Sequence, residues 1–420
     1  MKLNNKVVNL GCRLNSYESN IIKEILQENK TKNVTVINTC AVTNQAIKKS
    51  LLAIKRYAKL NPENKIFVTG CASEIHQNIF KEIKLVDRII PNKSKTKKEF
   101  YKTSPFTQNL KKFRTEFQFP VPKNKFRKQT RALLQIQQGC DHKCTFCIIP
   151  SGRGKSISLP VGGIIENISK YLKWGYKEVI LTGVDITSYG SDLPGKPKLG
   201  NVIKRVFKLL PNLQRLRLSS LDPAEIDYDL LDLIKYDDRI LPHIHFSAQS
   251  GDDLILKRMK RRHNSSQLFD LCYKIKKIRP DITFGADLIV GFPTETDKNF
   301  INTCNLVETG LFSNLHIFPF SPMEMTPASR MPQVKQEVIQ ERTKYIKEIG
   351  IFYQRKLMEE KINSIESVLF ENKKLSYTND YYKVSLNDQN INNSGKIYRG
   401  KVIRVKLTNL KNNTFCGEIV

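Results

Sequence analysis

The sequence predicts an α/β protein in three parts: a small domain with a parallel sheet, an incomplete (β/α) barrel of six units, and a small β-barrel at the carboxyl end. Three observations predict it. Short β-branched runs alternate with helical segments over residues 1 to about 90. Six strand–helix units then repeat between 131 and about 320. From Ser364 onward the pattern shortens to strand-like runs without helices between them.

The first part is marked by its cysteines. KVVNLGC ends at Cys12, VTVINTC at Cys40 and KIFVTGC at Cys71, and each is followed by a helical segment. In a parallel sheet with helical crossovers the carboxyl ends of the strands share one edge, where ligands bind. Three cysteines far apart in sequence are therefore expected together. The segment NQAIKKSLLAIKRYAKL puts Ile47, Leu51, Ile54 and Ala58 at helical spacing, with its lysines and Arg56 on a solvated face. Residues 93–129 are basic, proline-containing and weakly periodic, and read as a linker able to touch a phosphate backbone.

In the barrel, residues 130–362, strands fit RALLQIQ, KEVILTG, RLRLSS, HIHFSAQS, ITFGADLIV and NLHIFPF. Amphipathic segments such as VGGIIENISKYLKW, NVIKRVFKLL and SQLFDLCYKIKKI separate them, and a helical segment follows over 333–361. If strand alternation holds, Arg217 is an inward-facing charge. In the tail, 363–420, strands fit SIESVLF, YYKVSLN, KIYRGKVIRVKLTNL and TFCGEIV. Basic barrels of this size often bind RNA.

Composition narrows the class. The chain has 420 residues and a net charge of +30, which favours a polyanionic partner. It has no apolar run of membrane-spanning length and no secretory signal, so no membrane is expected and a cytoplasmic location is. Nine cysteines in such a protein point to metal ligation rather than a disulfide framework.

The sharpest signal is QQGCDHKCTFCIIP, in which Cys140, Cys144 and Cys147 form C-x3-C-x2-C after the first barrel strand. Structural zinc takes four ligands in two pairs, and no second pair follows. Three thiolates on a [4Fe–4S] cube leave one iron open, and an open metal position signals reactivity rather than scaffolding. Cys272, Cys304 and Cys416 fall in amphipathic helices and a terminal strand, where a core role is expected.

C-x3-C-x2-C resembles the signature of radical S-adenosylmethionine enzymes, which also use a partial (β/α)6 barrel. The boxes NLGCRLNSYES, VINTCAVTN and VTGCASE further resemble those of the methylthiotransferase family. That resemblance implies a flavodoxin-like amino-terminal domain over residues 1–92 and a TRAM-like tail. It implies two [4Fe–4S] clusters, an auxiliary one on Cys12, Cys40 and Cys71 and a radical-generating one on Cys140, Cys144 and Cys147. S-adenosylmethionine would bind the second, with Gly183, Ser247, Gln249 and Asp287 as strand-end contacts and Asp185 facing the substrate.

Of the family's branches, LGCRLNSYES, LTGVDITSYG, RLRLSSLDP and FGADLIVGFPTET resemble the one that methylthiolates N6-threonylcarbamoyladenosine at position 37 of tRNA. The implied partners are the anticodon stem-loop of tRNA and a low-potential electron donor such as flavodoxin or ferredoxin. Isopentenyl-modified tRNA and a ribosomal-protein aspartate are the alternative targets. A non-catalytic iron–sulfur RNA-binding sensor is the alternative of another class. FSPMEMTPASRMP departs from the family's usual YSPRPGTPAARMP, with Met323, Glu324 and Met325 where arginine, proline and glycine are expected. The departure puts substrate affinity in question.

Overall fold

The run VTVINT shows no alternation because its strand is covered on both faces. In the computed structural model, which describes residues 4–102, 117–126, 129–372, 374–386 and 398–420, all six of its residues are buried. It is β2 (Val34–Thr39) of an all-parallel sheet ordered β1-β2-β3-β4, with β1 (Lys6–Asn9), β3 (Lys65–Gly70) and β4 (Arg88–Ile89). Helix α1 (Arg13–Glu28) shares a core with Val34, Val36 and Phe67 through Tyr17, Ile21 and Ile25. Helix α2 (Asn44–Leu60) covers the opposite face, where Ile47 and Ile54 join Ile37, Ile66 and Val68. Thr43 caps α2 by accepting from the Ala46 amide. Two short helices, α3 (Cys71–Ile75) and α4 (Gln77–Lys81), follow β3.

The linker reading does not hold from 93 to 102. Lys95, Phe100 and Tyr101 are buried, and Lys95 pairs with Glu18 of α1. The charge of PNKSKTKKEFYK conceals two aromatic anchors that fill one face of the domain. Farther on, the strap 117–126 crosses α1: Tyr17 donates to the Pro120 carbonyl at 2.6 Å, and Glu24 accepts from the Lys123 and Asn124 amides. The rest of the expected linker, 103–116 and 127–128, lies outside the described residues.

The barrel begins with β5 (Arg131–Gln135). A short antiparallel pair, β6 (Gln137–Gln138) and β7 (Ile157–Ser158), brackets α5 (Ile149–Arg153). Then follow α6 (Val161–Lys173), β8 (Glu178–Thr182), α7 (Leu199–Leu209), β9 (Arg215–Leu218) and α8 (Tyr228–Tyr236). The second half is β10 (His243–Gln249), α9 (Asp253–Arg258), α10 (Ser265–Ile278), β11 (Thr283–Val290), α11 (Asp297–Glu308), β12 (Phe312–Pro319) and α12 (Gln336–Glu359). The six long strands form two parallel triplets, β5-β8-β9 and β10-β11-β12, joined by single bridges at Leu216–Ile240 and Leu221–Phe246. No helix among the described residues is long and apolar enough to cross a membrane.

Alternation along these strands decides what the barrel can hold. Leu134, Val179, Leu181, Leu216, Phe246, Phe284 and Leu288 point outward into the core made with the helices, which also takes in Cys272 and Cys304. Their neighbours point inward and are largely polar: Arg217, His243, His245, Asp287, Asn314 and His316 line one cavity. The interior thus keeps a cavity that carries charged and hydrogen-bonding groups, instead of being filled by branched side chains. Leu133 and Ile180 are the inward exceptions, and they pack with α1, which covers that side of the barrel.

The tail is a closed barrel, β13-β14-β15-β17-β16, made of β13 (Ile365–Leu369), β14 (Ser376–Thr378), β15 (Lys383–Leu386), β16 (Val402–Lys411) and β17 (Thr414–Ile419). Val368, Val384, Val405, Leu407 and Phe415 fill it. Strand β14 was not expected, since three residues are too few to show alternation. Tyr398–Gly400 leads into β16 instead of belonging to it, and Lys396 and Ile397 lie outside the described residues.

Candidate functional site

Cys12 precedes α1, Cys40 follows β2 and Cys71 opens α3, so the sheet's carboxyl edge does gather them. Burial raises the Cys40 thiol, and the nearby Cys12 and Cys71 raise it further. Gly70 (φ +103°) makes the approach possible: a Cβ there would lie 2.4 Å from the Thr39 carbonyl oxygen. Asn15 of α1 braces the same edge, donating to that carbonyl at 3.0 Å.

Cys140, Cys144 and Cys147 lie on the loop between β6 and α5. Its ends are tied by the Cys140 amide to Gly154 O (3.1 Å), and its middle by Thr145 Oγ1 to Arg258 O (2.8 Å). Burial pushes the Cys140 thiol up to about 12 and that of Cys147 to about 11, with their cysteine neighbours adding to both. Bare thiolates in such a place are costly, and a thiophilic cation removes the cost by taking the sulfurs as ligands. The donor set of each trio, three cysteines in none of which a disulfide forms, fits an iron–sulfur cluster.

Gly139 turns the chain into this loop at φ +74°, and a Cβ there would sit 1.9 Å from the Lys155 carbonyl oxygen. Gly139→Ala is expected to cost about 2 kcal/mol or more and to lower the iron retained after reconstitution. Urea unfolding and iron analysis measure the two effects.

The two trios face each other. Cys71 contributes to the raised thiol of Cys147, and a Cβ on Gly152 of α5 would be 3.5 Å from Cys71 Cβ. Asn92 spans the gap, donating to Gly152 O at 2.6 Å and to Cys71 Sγ at 3.8 Å. Beside it Arg153 donates to Glu18 Oε1 (2.9 Å) and to Gln138 Oε1 (3.0 Å), and its charge faces Cys71 and Cys12. Sequence reasoning missed Arg153, an unremarkable arginine in a five-residue helix. It also missed Arg261, which donates to Cys144 Sγ at 3.6 Å while pairing with Asp222 at 2.9 Å. Neither contact has a local signature, since each spans more than 100 residues or joins two domains.

The strand-end residues divide. Gly183 lines the barrel cavity, and its space is taken by Gln137, whose Oε1 would be 2.8 Å from a Cβ. Asp185 does not line that cavity. Its carboxylate accepts from Thr187 (2.6 Å), Ser188 (2.7 Å) and His142 (2.8 Å), and the hydrogen bonds to Asp185 and Glu225 push His142 up to about 9. Ser247 donates to Leu221 O and accepts from Arg261. Gln249 (φ +70°) and Asp287 line a second cavity of about 220 Å³ with Val42, Thr43 and Phe146, between the two cysteine loops and the strand ends.

The barrel cavity measures about 360 Å³ and is shared by all three parts of the chain: Cys12 and Arg13, the barrel strands, and Tyr381 of the tail. Met323 is buried in the core of the amino-terminal domain beside Cys71 and Ile148, and Asn44 bonds to Ser321 and Pro322. The altered loop therefore docks one domain on the other, using an apolar side chain where relatives are expected to carry arginine.

Comparison with known proteins accords with this geometry. Residues 134–307 match the Radical SAM superfamily, and residues 5–91 match Uncharacterized protein family UPF0004. The chain is 42% identical to a Rickettsia prowazekii (strain Madrid E) protein, Threonylcarbamoyladenosine tRNA methylthiotransferase MtaB, over 96% of each. A Bacillus subtilis (strain 168) protein of the same name is 32% identical over 95% of this chain and 92% of its own. The tRNA-2-methylthio-N(6)-dimethylallyladenosine synthase of Ehrlichia canis (strain Jake) is 30% identical over 97% and 98%. Among solved structures, the radical S-adenosylmethionine methyltransferase TsrM from Kitasatospora setae, with cobalamin and a [4Fe-4S] cluster bound, matches with a TM-score of 0.54. It covers 78% of this chain and 77% of its own at 11% identity, a likeness of fold.

Proposed function

The chain belongs to the radical S-adenosylmethionine methylthiotransferases, and from that premise we propose that it converts N6-threonylcarbamoyladenosine at position 37 of tRNA to its 2-methylthio derivative. The observation that carries this reading is its likeness, over almost the whole chain, to proteins bearing that activity in their names. The enzyme uses two [4Fe–4S] clusters and S-adenosylmethionine. Cys140, Cys144 and Cys147 would hold the first cluster, and Cys12, Cys40 and Cys71 the auxiliary one. Bound there, these groups supply a radical source and a methylthio group for a carbon, C2 of adenine, that carries no usable acidity.

The chain's own residues contribute position and dryness. Arg153, Glu18 and Asn92 fix the two cysteine trios against each other. Arg261 places a positive charge on Cys144. The cavity beside Cys12 carries Arg13, Arg217 and Asn314 on its wall, donors that suit a threonylcarbamoyl group better than a dimethylallyl one. The net charge of +30 suits the phosphates of an anticodon stem-loop, and a tRNA substrate puts the enzyme in the cytoplasm. A low-potential donor such as flavodoxin or ferredoxin would supply the electron.

Nucleoside mass spectrometry of tRNA from cells with and without the gene tests the proposal. Loss of 2-methylthio-N6-threonylcarbamoyladenosine with accumulation of its precursor is the expected result. An unchanged level overturns it, and loss of the dimethylallyl product instead would move the assignment to the other tRNA branch.

A further inference from the structure

The floor of the barrel holds more positive charge than it can pair. Arg131, Arg215 and Arg217 meet there on one fully buried carboxylate, Glu178, which takes Arg131 Nε (3.0 Å) and Arg217 Nε (2.9 Å) on one oxygen and Arg215 Nη2 (2.9 Å) on the other. Glu371 from the tail pairs with Arg131 at 2.9 Å. Three guanidinium groups therefore share two carboxylates, and one charge is left over. The structure shows where it points: Arg217 is 2% exposed, both of its terminal nitrogens lack a hydrogen-bond partner among the described residues, and it lines the barrel cavity. A buried guanidinium edge without acceptors is costly unless a ligand completes it.

The surroundings suit an anion. Tyr381 carries Arg217 on its ring at 4.7 Å and Arg13 at 5.7 Å, and its hydroxyl accepts from Arg13 Nη2 at 3.2 Å. It does so in a left-handed backbone conformation (φ +74°), a strained geometry that costs free energy and concentrates at functional sites. Asp287, the one acid among the described lining residues, is occupied by His245 and His316 at 3.0 Å each.

We propose that Arg217, assisted by Arg13 across Tyr381, is the receptor for the free carboxylate of the substrate nucleoside's N6 substituent. This rests on the reading that the substrate is threonylcarbamoyladenosine, whose side group ends in a carboxylate, whereas a dimethylallyl group ends in methyls. Guanidinium recognises a carboxylate through two parallel hydrogen bonds, and Arg217 has that edge free. Cys12, adjacent to Arg13, opens on the same cavity, so a nucleoside anchored at the floor lies against the auxiliary trio. In this way the barrel itself, and not only the tRNA contacts, selects the modified base.

The test uses reconstituted holoenzyme and three anticodon stem-loops carrying the threonylcarbamoyl group, its threonine carboxamide analogue, or dimethylallyl at position 37. The unaltered enzyme is expected to prefer acid over carboxamide by at least about 10-fold in both KM and directly measured Kd. In Arg217→Gln the preference should shrink to about 2-fold, with the loss confined to the acid and carried by KM rather than kcat. Absence of a preference in the unaltered enzyme overturns the proposal, as does an equal loss on acid and carboxamide. Should Arg217→Gln not fold, Arg13→Gln at an exposed position must narrow the same preference, and an unchanged ratio there also overturns it. Turnover of the dimethylallyl stem-loop alone would instead refute the underlying substrate assignment.

Discussion

Glu178→Gln is expected to be among the most destabilising single substitutions in the chain, costing roughly 3–5 kcal/mol, the range for removing one partner of a buried ion pair. Glu178 is wholly buried and anchors Arg131, Arg215 and Arg217 at once. An amide keeps its shape but not its charge, so three guanidinium groups would face one another with only Glu371 to offset them. For a domain of this size each kcal/mol lowers Tm by about 2–4 °C, which places the expected drop near 10 °C. The pH dependence follows from the same contacts. Burial alone would raise the Glu178 carboxyl, but Arg217, Arg131 and Arg215 hold it down at about 2, below its ordinary 4.5. A carboxyl depressed in the folded state contributes stability that is complete above the unfolded value and is lost as pH falls from about 4.5 toward 2. Denaturant unfolding at stepped pH should show the unaltered protein weakening over that window. The Gln variant, already weak at pH 7, should be flatter there. A variant as stable as the parent at pH 7 would refute this account of the floor.

The same floor shows what could be read from the chain before its structure. Alternation in RLRLSS predicted Arg217 inward, and it is, because Leu216 and Leu218 must face the helices. The three strand-end cysteines were legible because a parallel sheet has one carboxyl edge, whatever the lengths of its crossovers. Tyr381 was not legible. Its importance depends on a strained turn in the tail meeting Arg13 from the amino-terminal domain and Arg217 from the barrel, a three-way contact without local periodicity. Lys95 failed in the opposite sense: a lysine in a basic run reads as solvated, yet Glu18 of α1 draws it into the core. A strand-end place makes Asp185 look like a substrate contact, and that position alone does not reveal that His142, together with the hydroxyls of Thr187 and Ser188, claims its carboxylate. Function-bearing residues were thus visible where topology alone converges them and hidden where domains meet.

The second large effect separates the two cysteine trios. Cys144→Ala is expected to abolish release of 5′-deoxyadenosine from S-adenosylmethionine and, with it, all modification of the stem-loop, a loss of at least about 10³-fold in each. Cys40→Ala is expected to abolish methylthio transfer to the same degree while leaving 5′-deoxyadenosine formation within a few-fold of the parent. The separation follows from how each trio is braced. The Cys140–Cys147 loop is held by Gly154, Met259 and Arg258, all in the barrel, and Arg261 reaches Cys144 from the barrel as well. Cys40 hangs on β2, where Asn15 and Thr69 tie the adjoining Thr39 without touching that loop. Iron should accordingly fall from about eight to about four per chain in either variant, one [4Fe–4S] cluster being lost each time. Chemical iron analysis, nucleoside mass spectrometry and 5′-deoxyadenosine assay on one preparation decide the matter. If Cys40→Ala loses both products and all its iron, the trios are not independent sites, and the contact of Cys71 with the Cys147 side through Gly152 must then bind them into a single folding unit.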